Sequence, residues 1–180
     1  TVQSTVGITA AGGRVSIYFR FANLPNLNAG IMQLLNASNA VVITVGVLTT
    51  GLMFLADGNG NDLGGGGSIT LSTGVWYRIC LAYTITSTTV NEFRVFVDGV
   101  QDQTISNVTL TTITPARFFA GLMGDITSDR ILNLDDVYVD DSTALTDTGN
   151  VKVTAKLPAT ENRPTLIPRL APGAGRRTTI

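Results

Sequence analysis

The chain has no histidine, one cysteine, and no lysine before Lys152. Without histidine there can be no Ser–His–Asp triad, no histidine-ligated zinc and no Cys–His nucleophile pair. A lone cysteine, Cys80, cannot form an internal disulfide, so a stapled secreted scaffold is not expected. Cys80 falls inside a strand-like run and reads as a small buried hydrophobe. Long apolar runs are also missing. None approaches the ~18–20 residues of a membrane span, so no membrane insertion is expected. Sustained helical periodicity is absent too; in the one ambiguous stretch, 24–35, Pro25, Asn26, Asn28 and Gly30 oppose a helix.

What is present is a chain of 180 residues, 44% hydrophobic and 14% charged, long enough for one domain with a real core. It begins with Thr1, and a processed or incomplete amino end is expected. Charge is split. Residues 1–150 carry six Arg against twelve Asp or Glu, a net −6; residues 151–180 carry six Lys or Arg against one Glu, a net +5. An acidic body with a basic tail suggests an interaction arm.

Short alternating runs dominate. In 14–21, Val15, Ile17, Phe19 and Phe21 share a face, opposite Ser16 and Arg20. Further strands are expected over 30–35, 41–48, 52–56, 68–71, 76–83, 92–97, 103–105, 117–122 and 131–139, separated by Asn, Gly, Ser, Thr and Pro clusters. Ile79, Leu81, Phe93, Val95 and Val97 are the expected core faces of two of them. Asp98-Gly99 fits a type I′ hairpin turn. In 134–139 the apolar phase slips by one residue at Asp135-Asp136, as a β-bulge would produce. This spacing indicates an all-β, antiparallel two-sheet sandwich.

Three segments carry a resemblance: Gly74-Val75-Trp76-Tyr77-Arg78-Ile79, Phe93-Arg94-Val95-Phe96-Val97-Asp98-Gly99 and Leu134-Asp135-Asp136-Val137-Tyr138-Val139. In that order they resemble the concanavalin A-like jelly roll, in its laminin-G-like branch. The resemblance covers residues 1–141 and implies a jelly-roll β-sandwich, a fold that serves enzymes, lectins and structural modules alike. A linker with a short strand is expected over 142–157, where Val151, Val153, Ala155 and Leu157 alternate. An extended C-terminal arm follows over 158–180, denied regular structure by Pro164, Pro168 and Pro172. The run 134–141, continued by Gly149-Asn150-Val151-Lys152-Val153 and Leu157-Pro158, is similar to a group of tailed-phage structural proteins.

That second resemblance implies a virion component, a capsid-surface or tail protein, whose partners are other virion proteins and copies of itself. Arg163, Leu166, Ile167, Arg169, Leu170, Arg176, Arg177 and Ile180 are the expected assembly residues of the arm. The alternative is a carbohydrate-binding, lectin-like module that meets a host-surface glycan. Its stacking groups would come from Trp76, Tyr77, Tyr83 and Tyr138, each of which also reads as a core residue. Hydrolysis in this fold is usually carried by Glu-x-Asp-x-x-Glu; neither Glu92 nor Glu161 sits in that spacing, so no enzyme is expected. Asp57, Asn59 and Asn61 have the rhythm of a calcium loop, but Asp62 stands where the glycine belongs and Ser68 where the closing glutamate belongs. A glycine- and asparagine-rich turn is the simpler reading, Gly64–Gly67 reads as a flexible loop, and no cofactor is expected. The basic tail has no aromatic stacking partners, so nucleic acid is not the expected partner.

Overall fold

A computed structural model describes residues 2–4, 11–64, 66–123, 132–141 and 143–149. The expected terminal strand over 151–157 and the arm residues 158–180, Arg163 to Ile180 included, lie outside these described residues. Within them are ten strands: β1 Val2–Ser4, β2 Gly12–Phe21, β3 Ala29–Asn36, β4 Val41–Val47, β5 Met53–Asp57, β6 Tyr77–Ile85, β7 Asn91–Val97, β8 Val100–Ser106, β9 Pro115–Met123 and β10 Leu132–Asp140. Two antiparallel sheets of five strands result, ordered β1-β9-β3-β4-β5 and β10-β2-β6-β7-β8. They face each other as a jelly-roll sandwich of the concanavalin A-like kind. Among the described residues no helix is long and apolar enough to cross a membrane.

The core follows from period-2 alternation. Val15, Ile17, Phe19 and Phe21 of β2 meet Ile79, Leu81 and Tyr83 of β6 and Phe93, Val95 and Val97 of β7 in one buried cluster. The other sheet supplies Leu34, Ile43, Val45, Leu55 and Phe118 to the same cluster. The five core residues expected in β6 and β7 are all at most 2% exposed. Burial pushes the Tyr83 phenol well above its ordinary range.

Two local devices behave as their residues demand. Asp98 (φ 50°) and Gly99 (φ 88°) are both left-handed, and Val97 pairs directly with Val100, the geometry of a type I′ hairpin. In β10 the pairing with β2 slips between Asp135 and Tyr138, and Asp136 takes φ 40°. The expected bulge is therefore real, and it keeps Leu134, Val137 and Val139 packed against the core despite the phase slip.

The expected strand over 68–71 does not form. Instead, residues 62–64 and 66–71 run irregularly beside β5, with Leu63 N donating to Leu55 O (2.9 Å), Gly67 N to Met53 O (2.7 Å) and Leu71 N to Gly51 O (2.9 Å). Gly67, read from sequence as part of a flexible loop, is thus tied to the sheet. The stretch covers an edge that would otherwise present unpaired backbone groups.

Residues 143–149 cross the outer face of the β2–β6–β7 sheet as a strap. Asp147 grips Arg78 through two parallel bonds (2.6 and 2.5 Å), Arg94 donates to the Leu145 carbonyl (3.1 Å), and Leu145 packs on Cys80, Ala82 and Phe96. β6 is consequently buried on both faces along most of its length.

Candidate functional site

Among the described residues, no strap crosses the outer face of the other sheet. Register places two rows of side chains across it. Gln33 of β3 pairs with both Phe119 of β9 and Thr44 of β4, and Thr44 pairs with Ala56 of β5. One step along, Gly30 pairs with Met123 and Gly46, and Gly46 pairs with Phe54. The alternate residues Leu34, Ile43, Val45 and Leu55 are fully buried, so these two rows point away from the core. A groove of about 320 Å³ lies over them, within the range of small-ligand sites. Crossing from β9 to β5 it spans three strand spacings, roughly 14 Å.

The floor is low because its residues are small. Gly46 matters most. A Cβ there would lie 2.3 Å from Cε1 and Cζ of Phe54 and 2.7 Å from the Ala29 carbonyl oxygen. The Phe54 ring therefore folds over the Gly46 backbone, and its half-exposed remainder lines the groove. Beside it Gln33 donates from Nε2 to Thr44 Oγ1 at 3.0 Å. Thr44 accepts in that bond, which leaves its own proton to donate, and Gln33 Oε1 remains an acceptor. At the rim Asn28 Oδ1 accepts from Thr49 N (3.4 Å), and Asp62 Oδ1 accepts from Gly64 N (3.0 Å). Asp62 is the single charged residue among the described residues that line the groove.

The residues singled out in sequence sit elsewhere. Asp57 is 7% exposed and serves as the hub of its turn. Its Oδ1 accepts from the amides of Asn59 (2.9 Å) and Asn61 (2.8 Å), and its Oδ2 from Asn61 Nδ2 (3.0 Å). Burial alone pushes the Asp57 carboxyl up, but these bonds outweigh it and hold the group below its ordinary value. Among the described residues no group of three or more His, Cys, Asp or Glu is placed to hold a metal ion. Asp135 and Asp136 shape the bulge of β10, on the opposite sheet from the groove.

Of the four aromatic candidates, Tyr83 is wholly buried and Tyr77 packs its ring 6.4 Å from Phe19. Tyr138 is half-buried on β10. Trp76 departs from its expected core place. It lies one residue before β6, in the phase of the outward-facing Arg78 and Cys80, and is 42% exposed with the Arg20 guanidinium 5.4 Å above its ring. Sequence reading missed Phe54 and Gln33 as site residues. Their only signal is cross-strand neighbourhood, which register alone reveals.

No protein-family model and no curated protein sequence matches the chain. Solved structures do. An endo-β-1,4-glucuronan lyase from the fungus Trichoderma reesei superposes with a TM-score of 0.61 at 17% identity, over 81% of this chain and 75% of that one. The sialidase of Trypanosoma rangeli superposes with a TM-score of 0.53 at 12% identity, over 73% of this chain and 20% of that one. The binding domain of Paraclostridial Mosquitocidal Protein 1 gives 0.51 at 13% identity, over 74% of this chain and 35% of that one. The chain therefore corresponds to a small part of the two latter proteins. At these identities the likeness carries the fold, the jelly-roll sandwich, and nothing finer.

Proposed function

We propose that this domain is a carbohydrate-binding module and that its ligand lies across the outer face of β9, β3, β4 and β5. The observation that carries this reading is the groove itself. An aromatic ring lying on a glycine is set beside amide and hydroxyl groups that can exchange hydrogen bonds with sugar hydroxyls. The similar folds include one named as a lyase of a polysaccharide and one named as a sialidase, which makes glycans the first ligand class to try.

The groove supports binding rather than turnover. Glycoside hydrolysis needs two carboxyl groups flanking the bond, and Asp62 is the one carboxylate among the described lining residues. Elimination needs a base together with a group that takes up the charge of the acid-bearing sugar, and among those residues Asp62 has no tyrosine, lysine or arginine beside it in the lining. The test is affinity electrophoresis and calorimetry on a polysaccharide panel, with product analysis alongside. Retention without product release is expected, weakened about tenfold in Phe54→Ala, which corresponds to ~1.4 kcal/mol. Gln33→Ala, which leaves the ring in place, should weaken binding as well. Release of shortened or unsaturated chains would instead make the groove catalytic.

A virion setting for the same module is the second reading. The strand on which that resemblance rests is β10, with its bulge, followed directly by the strap. In this setting the domain is a capsid-surface or tail component that meets a host glycan, held to its neighbours by residues 158–180.

A further inference from the structure

We infer that the groove selects uncharged glycans and rejects acidic ones, with Asp62 as the specificity-determining residue. This rests on the groove being a glycan site and adds which glycans it takes.

Residues 1–150 contain no lysine, so arginine must supply every cation of the sandwich. Each described arginine is engaged away from the groove. Arg14 pairs with Asp140, Arg78 with Asp147 and Arg94 with Glu92, all belonging to the other sheet or its strap. Arg20 lies over Trp76, also by that sheet. Arg117 is on the groove's own sheet, but it donates to Asn39 Oδ1 at 2.6 Å in the β3–β4 turn and does not line the groove. Among the described lining residues, the side chains that can hydrogen-bond a ligand are Asn28, Gln33 and Thr44, all uncharged, and the carboxylate of Asp62.

A carboxylate accepts hydrogen bonds and cannot donate one, so it suits a sugar hydroxyl. A uronate or sialate would bring its own carboxylate into a groove with no guanidinium or ammonium among its described lining residues to receive it. Recognition of a carboxylate normally uses such a fork. Juxtaposed like charges suppress the wrong partner, and the low dielectric of a groove wall strengthens the effect.

The experiment uses glycans matched in linkage and differing only at C6. The full chain is titrated with β-1,4-glucan and β-1,4-glucuronan oligomers of equal length, and with β-1,4-mannan and β-1,4-mannuronan, at low and at high salt. At least one neutral oligomer should bind, with its uronate counterpart at least tenfold weaker at low salt. The gap should narrow at high salt, narrow in Asp62→Asn, and close in Asp62→Lys. Asp62 is exposed, and Asp62→Asn keeps an oxygen to accept from Gly64 N while Asp62→Lys does not, so the melting temperature of each variant is measured alongside and that of Asp62→Asn should be unaltered. Equal or tighter binding of the uronate oligomer by the unaltered chain would overturn the selectivity while leaving a glycan site. A selectivity unchanged in both Asp62 variants would remove Asp62 from the role. Failure of a broad neutral and acidic panel to bind at all would overturn the glycan site itself, and the selectivity with it.

Discussion

A side chain at position 46 would stand 2.3 Å from the Phe54 ring, closer than any real contact, and 2.7 Å from a carbonyl oxygen that cannot move away. The ring's position is thus a consequence of the glycine across the strand pair. Gly46→Ala should cost about 1–3 kcal/mol as an overpacked site and should lift the ring off the floor. Denaturant unfolding and calorimetry on one sample would show both losses together. Unchanged stability with unchanged affinity would mean that the ring is not held where it lies. At this scale the sequence spoke clearly where one residue decides the outcome. Asp98-Gly99 announces its turn, and Asp135-Asp136 announces its bulge. Position 46 announces nothing, because the value of a glycine in a strand depends on a partner eight residues away, in the next strand. Trp76 misled because membership of a core strand was read as burial, although alternation from Ile79, Leu81 and Tyr83 already sets it on the outer face with Arg78 and Cys80.

At the scale of elements, nine of the ten described strands were expected from strand-like runs in the sequence, with ends that coincide or shift by up to three residues. β1 was not, because three residues are too few to show a period, and its pairing with β9 is entirely non-local. The strap was equally hidden. Its residues are polar and read as linker, yet Asp147 and Leu145 dock on a face whose apolar patch, Cys80, Ala82 and Phe96, is itself split between two strands. The docking has a pH signature. The Arg78 guanidinium bonds the Asp147 carboxylate and holds its carboxyl below the ordinary value, outweighing burial. A depressed folded-state value adds stability that is present above the unfolded value, near 4. That stability is lost as pH falls through the still lower folded value. Asp147→Asn should therefore lower stability at neutral pH and flatten its decline below about pH 4. Burial also pushes the Cys80 thiol up and keeps it from reagents. Loosening the strap should let an aromatic disulfide reagent titrate Cys80 several-fold faster in Asp147→Asn than in the unaltered chain. An unchanged rate, with an unchanged acid limb, would mean that Asp147 does not secure the strap.

At the scale of the whole molecule, the sandwich and the basic segment after it are expected to have separate work. The acidic body is closed over its own core, and its groove lies on the sheet opposite the strap. Removing residues 158–180 should leave the melting transition and glycan affinity unchanged. In the virion setting it should also abolish attachment to the particle, because Leu166, Ile167 and Leu170 with the arginines of the tail are the expected tether. A truncated chain that still joins particles with full affinity would count against the arm. The jelly roll was legible because alternation and turn chemistry recur along the whole chain. The groove was not, because it belongs to no segment: β3, β4, β5 and β9 each contribute one or two side chains.

Whether the outer face of that sheet receives a glycan is decided by following backbone amide resonances during titration with a bound oligosaccharide. Shifts should concentrate at Gly30, Gln33, Thr44, Phe54 and Asp62, with Arg20, Trp76 and Cys80 on the other sheet unmoved. Shifts clustered instead around Trp76 and Arg20, with the groove residues silent, would contradict a glycan site on that sheet.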